Sequence, residues 1–156
     1  MLFLVDAMLG NIAKKLRVLG FDSEYFSDID DYELLEKAKN ENRTIISKDY
    51  DLIKRGKKLG ILSIYISKED EIEQFKEIIQ TGHLEFNELS GNTARCTKCN
   101  FTTSEIQKSN LVHEIPQRVL EYYDKFWKCD RCSQIYWEGT HIKNLQEFFY
   151  KIKRLI

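Results

Sequence analysis

The sequence predicts an α/β protein: a mainly parallel sheet flanked by helices, then a small cysteine-bound module and a terminal helix. Three observations carry that expectation. Short apolar runs alternate with helical patterns from Leu2 to Ile79, as in a series of βαβ units. Two of those runs, Leu2–Val5 and Thr44–Ile46, stop abruptly and are followed by carboxylates, Asp6 in one case and Asp49 in the other. All four cysteines lie in the second half, as Cys96-x-x-Cys99 and Cys129-x-x-Cys132.

Taken in order, Leu2–Val5 reads as a first strand, and Leu9, Ile12, Leu16 and Leu19 recur at the spacing of an amphipathic helix that Gly20 ends. Ser23–Phe26 reads as a second strand. Asp30 opens the next helix, with Leu34, Leu35 and Ala38 facing inward and Glu33 three residues on, as in a capping box. Thr44–Ile46 is the third strand, Leu52–Lys58 a short helix ending at Gly60, and Ile61–Ile66 the fourth strand. A helix over Glu69–Ile79 carries acids in its first turn, where the helix dipole favours them. The composition then shifts, giving a first domain over residues 1–82, a connector over 83–93 and a cysteine module with a terminal helix over 94–156. Within the last segment a helix follows Pro116, an aromatic hairpin-like stretch covers Gln134–Glu138, and an amphipathic helix runs from about Asn144 to Leu155.

The 156 residues have room for one ordinary domain and a small appendage. No run approaches the roughly 18 apolar residues that span a bilayer. The chain starts on a strand-like run without a basic leader, so no membrane association and a cytoplasmic location are expected. The net charge of −1 hides an asymmetry: residues 1–92 carry 13 Lys and Arg against 18 Asp and Glu, and residues 93–156 carry 11 against 7. An acidic front can hold divalent cations and a basic back can attract polyanions, although two differently composed solvated faces give the same count. In a reducing compartment, paired C-x-x-C units point to zinc rather than disulfides. Four thiolates fill a tetrahedral site, so such a zinc would be structural.

Phosphodiester hydrolysis by hard cations needs several carboxylates converging on Mg²⁺ or Mn²⁺. Asp6, Asp31, Asp49 and Asp51 are the candidates. Asp30 reads as a helix cap and Asp28 as a solvated loop residue, while Asp51 is either a ligand or the cap of the following helix.

The stretches Leu4-Val-Asp6-Ala-Met-Leu9-Gly10, Ala13-Lys14-Lys15-Leu16-Arg17, Asp31-x-Glu33-Leu34-Leu35 and Arg43-x-Ile-Ile-Ser47-Lys48-Asp49-x-Asp51-Leu52 resemble the PIN-like ribonuclease domain found at the C-terminus of the Mut-seven exonucleases and as stand-alone prokaryotic proteins. Where that family usually has Thr-Arg before the Asp, this chain has Ser47-Lys48, which keeps the charge and loses bidentate geometry. The resemblance extends through Arg95-Cys96-x-x-Cys99-Asn100 and Phe126-Trp127-x-Cys129-x-x-Cys132-x-x-Ile-Tyr136-Trp137-x-Gly139-x-His141. It implies a PIN-like fold with an appended zinc ribbon on Cys96, Cys99, Cys129 and Cys132. It also implies a Mg²⁺ or Mn²⁺ site on Asp6, Asp31 and Asp49, with Asp51 beside it, and cleavage of RNA, expected to be endonucleolytic. Lys14 and Arg17, one helical turn apart, become phosphate contacts under that resemblance, and Lys48 joins them; on spacing alone the first two are equally a solvated basic face. Trp137 and His141 are candidate RNA contacts of the ribbon, with packing and helix capping as their alternatives, while Trp127 reads as a packing residue. Two other functions fit the same residues: a non-catalytic RNA- or ribosome-associated zinc module, and a toxin-like PIN protein governed by a protein partner.

Overall fold

A computed structural model describes residues 1–156. Its first sheet has four parallel strands, β1 (Leu2–Val5), β2 (Asp22–Tyr25), β3 (Thr44–Ser47) and β4 (Ser63–Tyr65), in the spatial order β2-β1-β3-β4. The two central strands, β1 and β3, are apolar on both faces because both faces are covered. Phe3 and Val5 point into one cluster, and the intervening Leu4 points into the other.

The covering helices divide between the faces. Helices α1 (Gly10–Val18) and α4 (Glu71–Gly82) pack on the Phe3 side through Ile12, Leu16, Phe75 and Ile78. Helices α2 (Asp31–Asn40) and α3 (Tyr50–Lys58) pack on the Leu4 side through Leu34, Leu35, Leu52 and Ile53. The chain thus leaves β1 toward one face and β3 toward the other. In open α/β sheets this arrangement opens a crevice at the carboxyl ends of the two strands where the order reverses.

A second sheet of three antiparallel strands, β5 (Thr103–Ile106), β6 (Phe126–Cys129) and β7 (Ile135–Trp137), carries the cysteine module. Helix α5 (Gln117–Tyr122) closes a small cluster of Leu111, Leu120 and Phe126 beneath it. Trp127 is buried over Gly91, donating from Nε1 to Asn92 Oδ1 at 2.8 Å; a Cβ at Gly91 would stand 2.2 Å from the indole ring. The packing expected of Trp127 is thus what the structure shows.

The terminal helix, α6 (Thr140–Leu155), departs from the sequence-based boundaries in two ways. It starts four residues earlier than the apolar stripe suggests, because Gly139 precedes it and supplies no side-chain cap to announce the turn. It also does not belong to the cysteine module. Leu145, Phe149 and Ile152 enter the main cluster beside Phe75 and Ile79, and Phe149 meets Phe75 edge-to-face at 5.6 Å. The segment 94–156 therefore contributes to two cores. A substitution Phe149→Ala is expected to cost about 3–5 kcal/mol. Urea unfolding should show that loss in a single transition followed by sheet and helix signals together.

Candidate metal centre and sheet-edge site

The four cysteines come from two turns of the same build. Each C-x-x-C pair wraps backbone N–H groups onto its first sulfur: Cys99 N lies 3.5 Å from Cys96 Sγ, and Arg131 N and Cys132 N each 3.4 Å from Cys129 Sγ. Asn100 and Ser133, directly after the pairs, take φ of 66° and 62° to complete the turns. The turns face one another, with Cys96 Sγ 3.5 Å from Cys132 Sγ and Cys99 Sγ 3.4 Å from Cys129 Sγ, and all four sulfurs within 4.8 Å of one another. A tetrahedral zinc with Zn–S bonds of about 2.3 Å requires sulfurs about 3.8 Å apart, which this cage meets with little adjustment.

The electrostatics point the same way. Burial works against the Cys96 thiolate, but the Tyr136 hydroxyl at 3.0 Å and the backbone N–H groups of Cys99 and Lys98 bring its pKa down to about 7. Burial and the neighbouring thiols push Cys99 up to about 12, and Cys132 is raised as well. Thiols so close cannot all ionise unless a cation sits among them, and a divalent metal supplies that charge. Tyr136, itself pushed up to about 12 mainly by burial, stays protonated and serves as a donor to the sulfur. The cysteine cluster is consistent with a zinc ribbon.

At the carboxyl edge of the first sheet, Asp6 follows β1 and Asp49 follows β3, the two strands flanking the order reversal. Ser47 links them. Its Oγ donates to Asp6 Oδ2 at 2.6 Å and accepts from the Asp49 N–H at 2.9 Å. Asp49 Oδ1 in turn accepts from Leu52 N at 3.0 Å, so Asp49 is the N-cap of α3. That corrects one expectation: Asp51, weighed as the cap, lies within the first turn of α3 with an exposed side chain. Asp6 Oδ1 and Asp49 Oδ2 take no hydrogen bond from the protein. Asp31, the first residue of α2, is exposed and ion-paired with Arg55 of α3. The carboxylates of Asp6, Asp31 and Asp49 do not form a cluster as tight as the cysteines, whose four ligand atoms alone meet within 4.8 Å. Asp30 caps α2 through Glu33 N at 2.9 Å, as expected.

The basic candidates separate. Lys14 is exposed on α1, and Lys48 reaches Glu69 at 2.9 Å on the surface. Arg17 does not share that exposed face: it is buried, donating from Nε to Ser23 O and from Nη1 to Thr97 O, both at 2.7 Å. Burial lowers its pKa, and the neighbouring Cys96 and Cys99 thiols and carboxylates offset part of that. It acts as a clamp between the first sheet and the first cysteine turn rather than as part of a solvated basic face.

That clamp is part of a wider junction absent from the sequence reading. Arg95 N donates to Arg17 O at 2.8 Å, and the Asn100 side chain bridges Ser23 N and Asp22 Oδ1. Asp22 is also ion-paired with Arg43 at 2.6 Å and Arg95 at 3.3 Å. Burial alone would raise the Asp22 carboxyl, yet hydrogen bonds from Arg43 and Asn100 and the two guanidinium charges hold it below the usual carboxylate range. The side chains that make this junction are separated by up to 80 residues, so no local pattern signals it. Trp137 is half-buried at the end of β7, and His141 is exposed in the first turn of α6.

Two measurements check this assignment. Metal analysis of protein purified without chelator should find one zinc per chain, lost in Cys129→Ser with a collapse of stability. Arg17→Ala should lower stability by about 2–4 kcal/mol in urea unfolding, because one buried and one part-buried carbonyl lose their donor. A pure phosphate contact would leave the unfolding midpoint unchanged.

A scan of family models matches the Mut7-C RNAse domain over residues 1–149. No curated protein and no solved structure matches the chain. No helix is long and apolar enough to cross a membrane. With nearly the whole chain inside the match, this protein belongs to the Mut7-C RNAse domain family.

Proposed function

We propose that the protein is a divalent-metal-dependent ribonuclease that cuts RNA internally, in the PIN-like manner, at the carboxyl edge of its parallel sheet. The observation that carries this reading is the Asp6–Ser47–Asp49 link at the ends of β1 and β3. It holds the Asp6 carboxylate and the Asp49 backbone at the switch point, Leu52 N holds the Asp49 carboxylate, and one oxygen of each carboxylate stays free of protein donors. Hard oxygen donors of this kind suit Mg²⁺ or Mn²⁺. Asp6 and Asp49 would hold the ion, and Asp31 would join them on release of its exposed pair with Arg55, which costs about 1 kcal/mol or less. The chemistry such an ion supplies is charge stabilisation at the phosphoryl oxygens and water activation at neutral pH.

The chain's own groups do the rest. Ser47 orients the Asp6 carboxylate and stiffens the approach of Asp49, while the α3 N-terminus offsets charge gathered there. Lys48 is tethered only to the exposed Glu69, so it can exchange that partner for a scissile phosphate. Lys14 offers a second cation on α1. The cytoplasm is the compartment in which the reduced cysteines and an RNA substrate coincide. The non-catalytic alternative, an RNA- or ribosome-associated module, draws on the Asp31–Arg55 pair, which occupies the third carboxylate.

Purified protein incubated with several single-stranded RNAs, with and without Mn²⁺, decides between them. Metal-dependent cleavage is expected, falling more than about a hundredfold in Asp6→Ala/Asp49→Ala. Ser47→Ala should weaken metal affinity by about 10–100-fold. Cleavage of a circular RNA would establish the internal cut. Wild-type activity no higher than that of the double variant would overturn the nuclease reading.

A further inference from the structure

Two adjoining depressions lie between α1, the first cysteine turn and the start of α6, and they share Val18, Thr97 and His141. One is an open groove of about 530 Å³ whose lining includes Lys14, Lys15, Arg17 and Lys98 and no carboxylate. Lys15 is ion-paired with Glu71 at 2.5 Å, and Arg17 is buried with two of its N–H groups committed to backbone carbonyls. Lys14 and Lys98 remain exposed and without an ion-pair partner. The other is an apolar cavity of about 120 Å³ lined in part by Trp127, Tyr136 and Trp137, with exposed Glu138 and His141 also contributing. That volume is well below the roughly 300 Å³ at which small-molecule pockets begin, so it suits one inserted ring of a larger ligand rather than a free metabolite.

We infer that the pair forms a seat for one nucleotide of single-stranded RNA, with its base in the aromatic cavity and the adjoining phosphates on Lys14 and Lys98. Each component has a physical reason. An apolar, aromatic-lined space accepts the face of any base, and only an unpaired base can enter it. Phosphates flank that base on both sides, and a groove with two uncommitted lysines and no acid attracts them. Glu138, which has no partner within the chain, offers an acceptor to the N–H edge of the base. The groove also has direction. Asn11 and Tyr25 line it at one end, and they stand at the start of α1 and the end of β2, on the Asp6 side of the sheet. Thr97 and Lys98 line the other end. From Asn11 to Val18 the groove follows α1 for roughly 10 Å, the length of about three stacked nucleotides. The seat therefore places the ribbon on the same RNA strand that reaches the sheet edge. This deepens the ribonuclease reading, on which its biological meaning rests.

Binding is measured on Asp6→Asn/Asp49→Asn protein, so that cleavage plays no part, using fluorescence anisotropy of a labelled RNA of about eight nucleotides across a salt series. Single-stranded RNA should bind more tightly than the same sequence annealed to its complement, and should quench tryptophan emission. Adding Lys14→Ala/Lys98→Ala should weaken binding about tenfold and make the salt slope shallower by about 1.4, the value for two lost single-strand phosphate contacts. Adding Trp137→Leu should weaken it about tenfold with the slope unchanged. Each variant is checked for zinc content. Equal affinity for duplex and single strand, or an unchanged dissociation constant and slope in the lysine variant, overturns the seat. The surface lysine pair keeps the test decisive if Trp137→Leu does not fold. Cleavage that persists while the seat fails would leave the nuclease reading standing, and the reverse result would remove that reading alone.

Discussion

Strand order governs this protein. β1 and β3 are neighbours although two helices and a strand separate them in sequence, and their following helices depart to opposite faces. That arrangement leaves the carboxyl ends of two buried strands facing a common opening. An ionised group directly after a buried strand is costly without partners. Ser47 meets that cost for Asp6, and the first turn of α3 meets it for Asp49. Both carboxylates are thereby held in place before any ligand arrives.

The cysteine module depends on a different constraint: thiols that cannot ionise together without a cation among them. Its first turn is fastened to the opposite, amino-terminal edge of the sheet, where Asn100 and Arg95 meet Asp22 and where Arg17 reaches Thr97. The two sites therefore lie at different ends of the strands, joined by α1 and the groove beside it. A polymer is the kind of ligand that could engage both.

How much of this the sequence shows depends on the range of the interaction. The strands at Leu2–Val5 and Thr44–Ser47 are legible because β-branched and apolar runs bounded by polar residues have few alternatives. The cysteine cluster is legible because C-x-x-C spacing is itself a local geometry. Asp51 reads from the sequence as either a ligand or the cap of α3, and only the hydrogen bond from Leu52 N to Asp49 assigns the cap to Asp49. The solvated basic face that spacing allows for Arg17 is excluded only in the fold, where one of its acceptors lies 80 residues away. Helix α6 shows an apolar stripe without showing which core receives it.

The destination of α6 bears on how the protein is made. Leu145, Phe149 and Ile152 complete a core whose other members lie between Phe3 and Leu84. That face of the first sheet is fully covered only when residues through Ile152 are in place, and the cysteine turns precede them in the chain. Contacts of such long sequence separation slow folding, since loop-closure entropy precedes their reward. The cysteine turns need none of those late contacts, so the cluster that could hold a metal is complete in the chain before the last members of the main core.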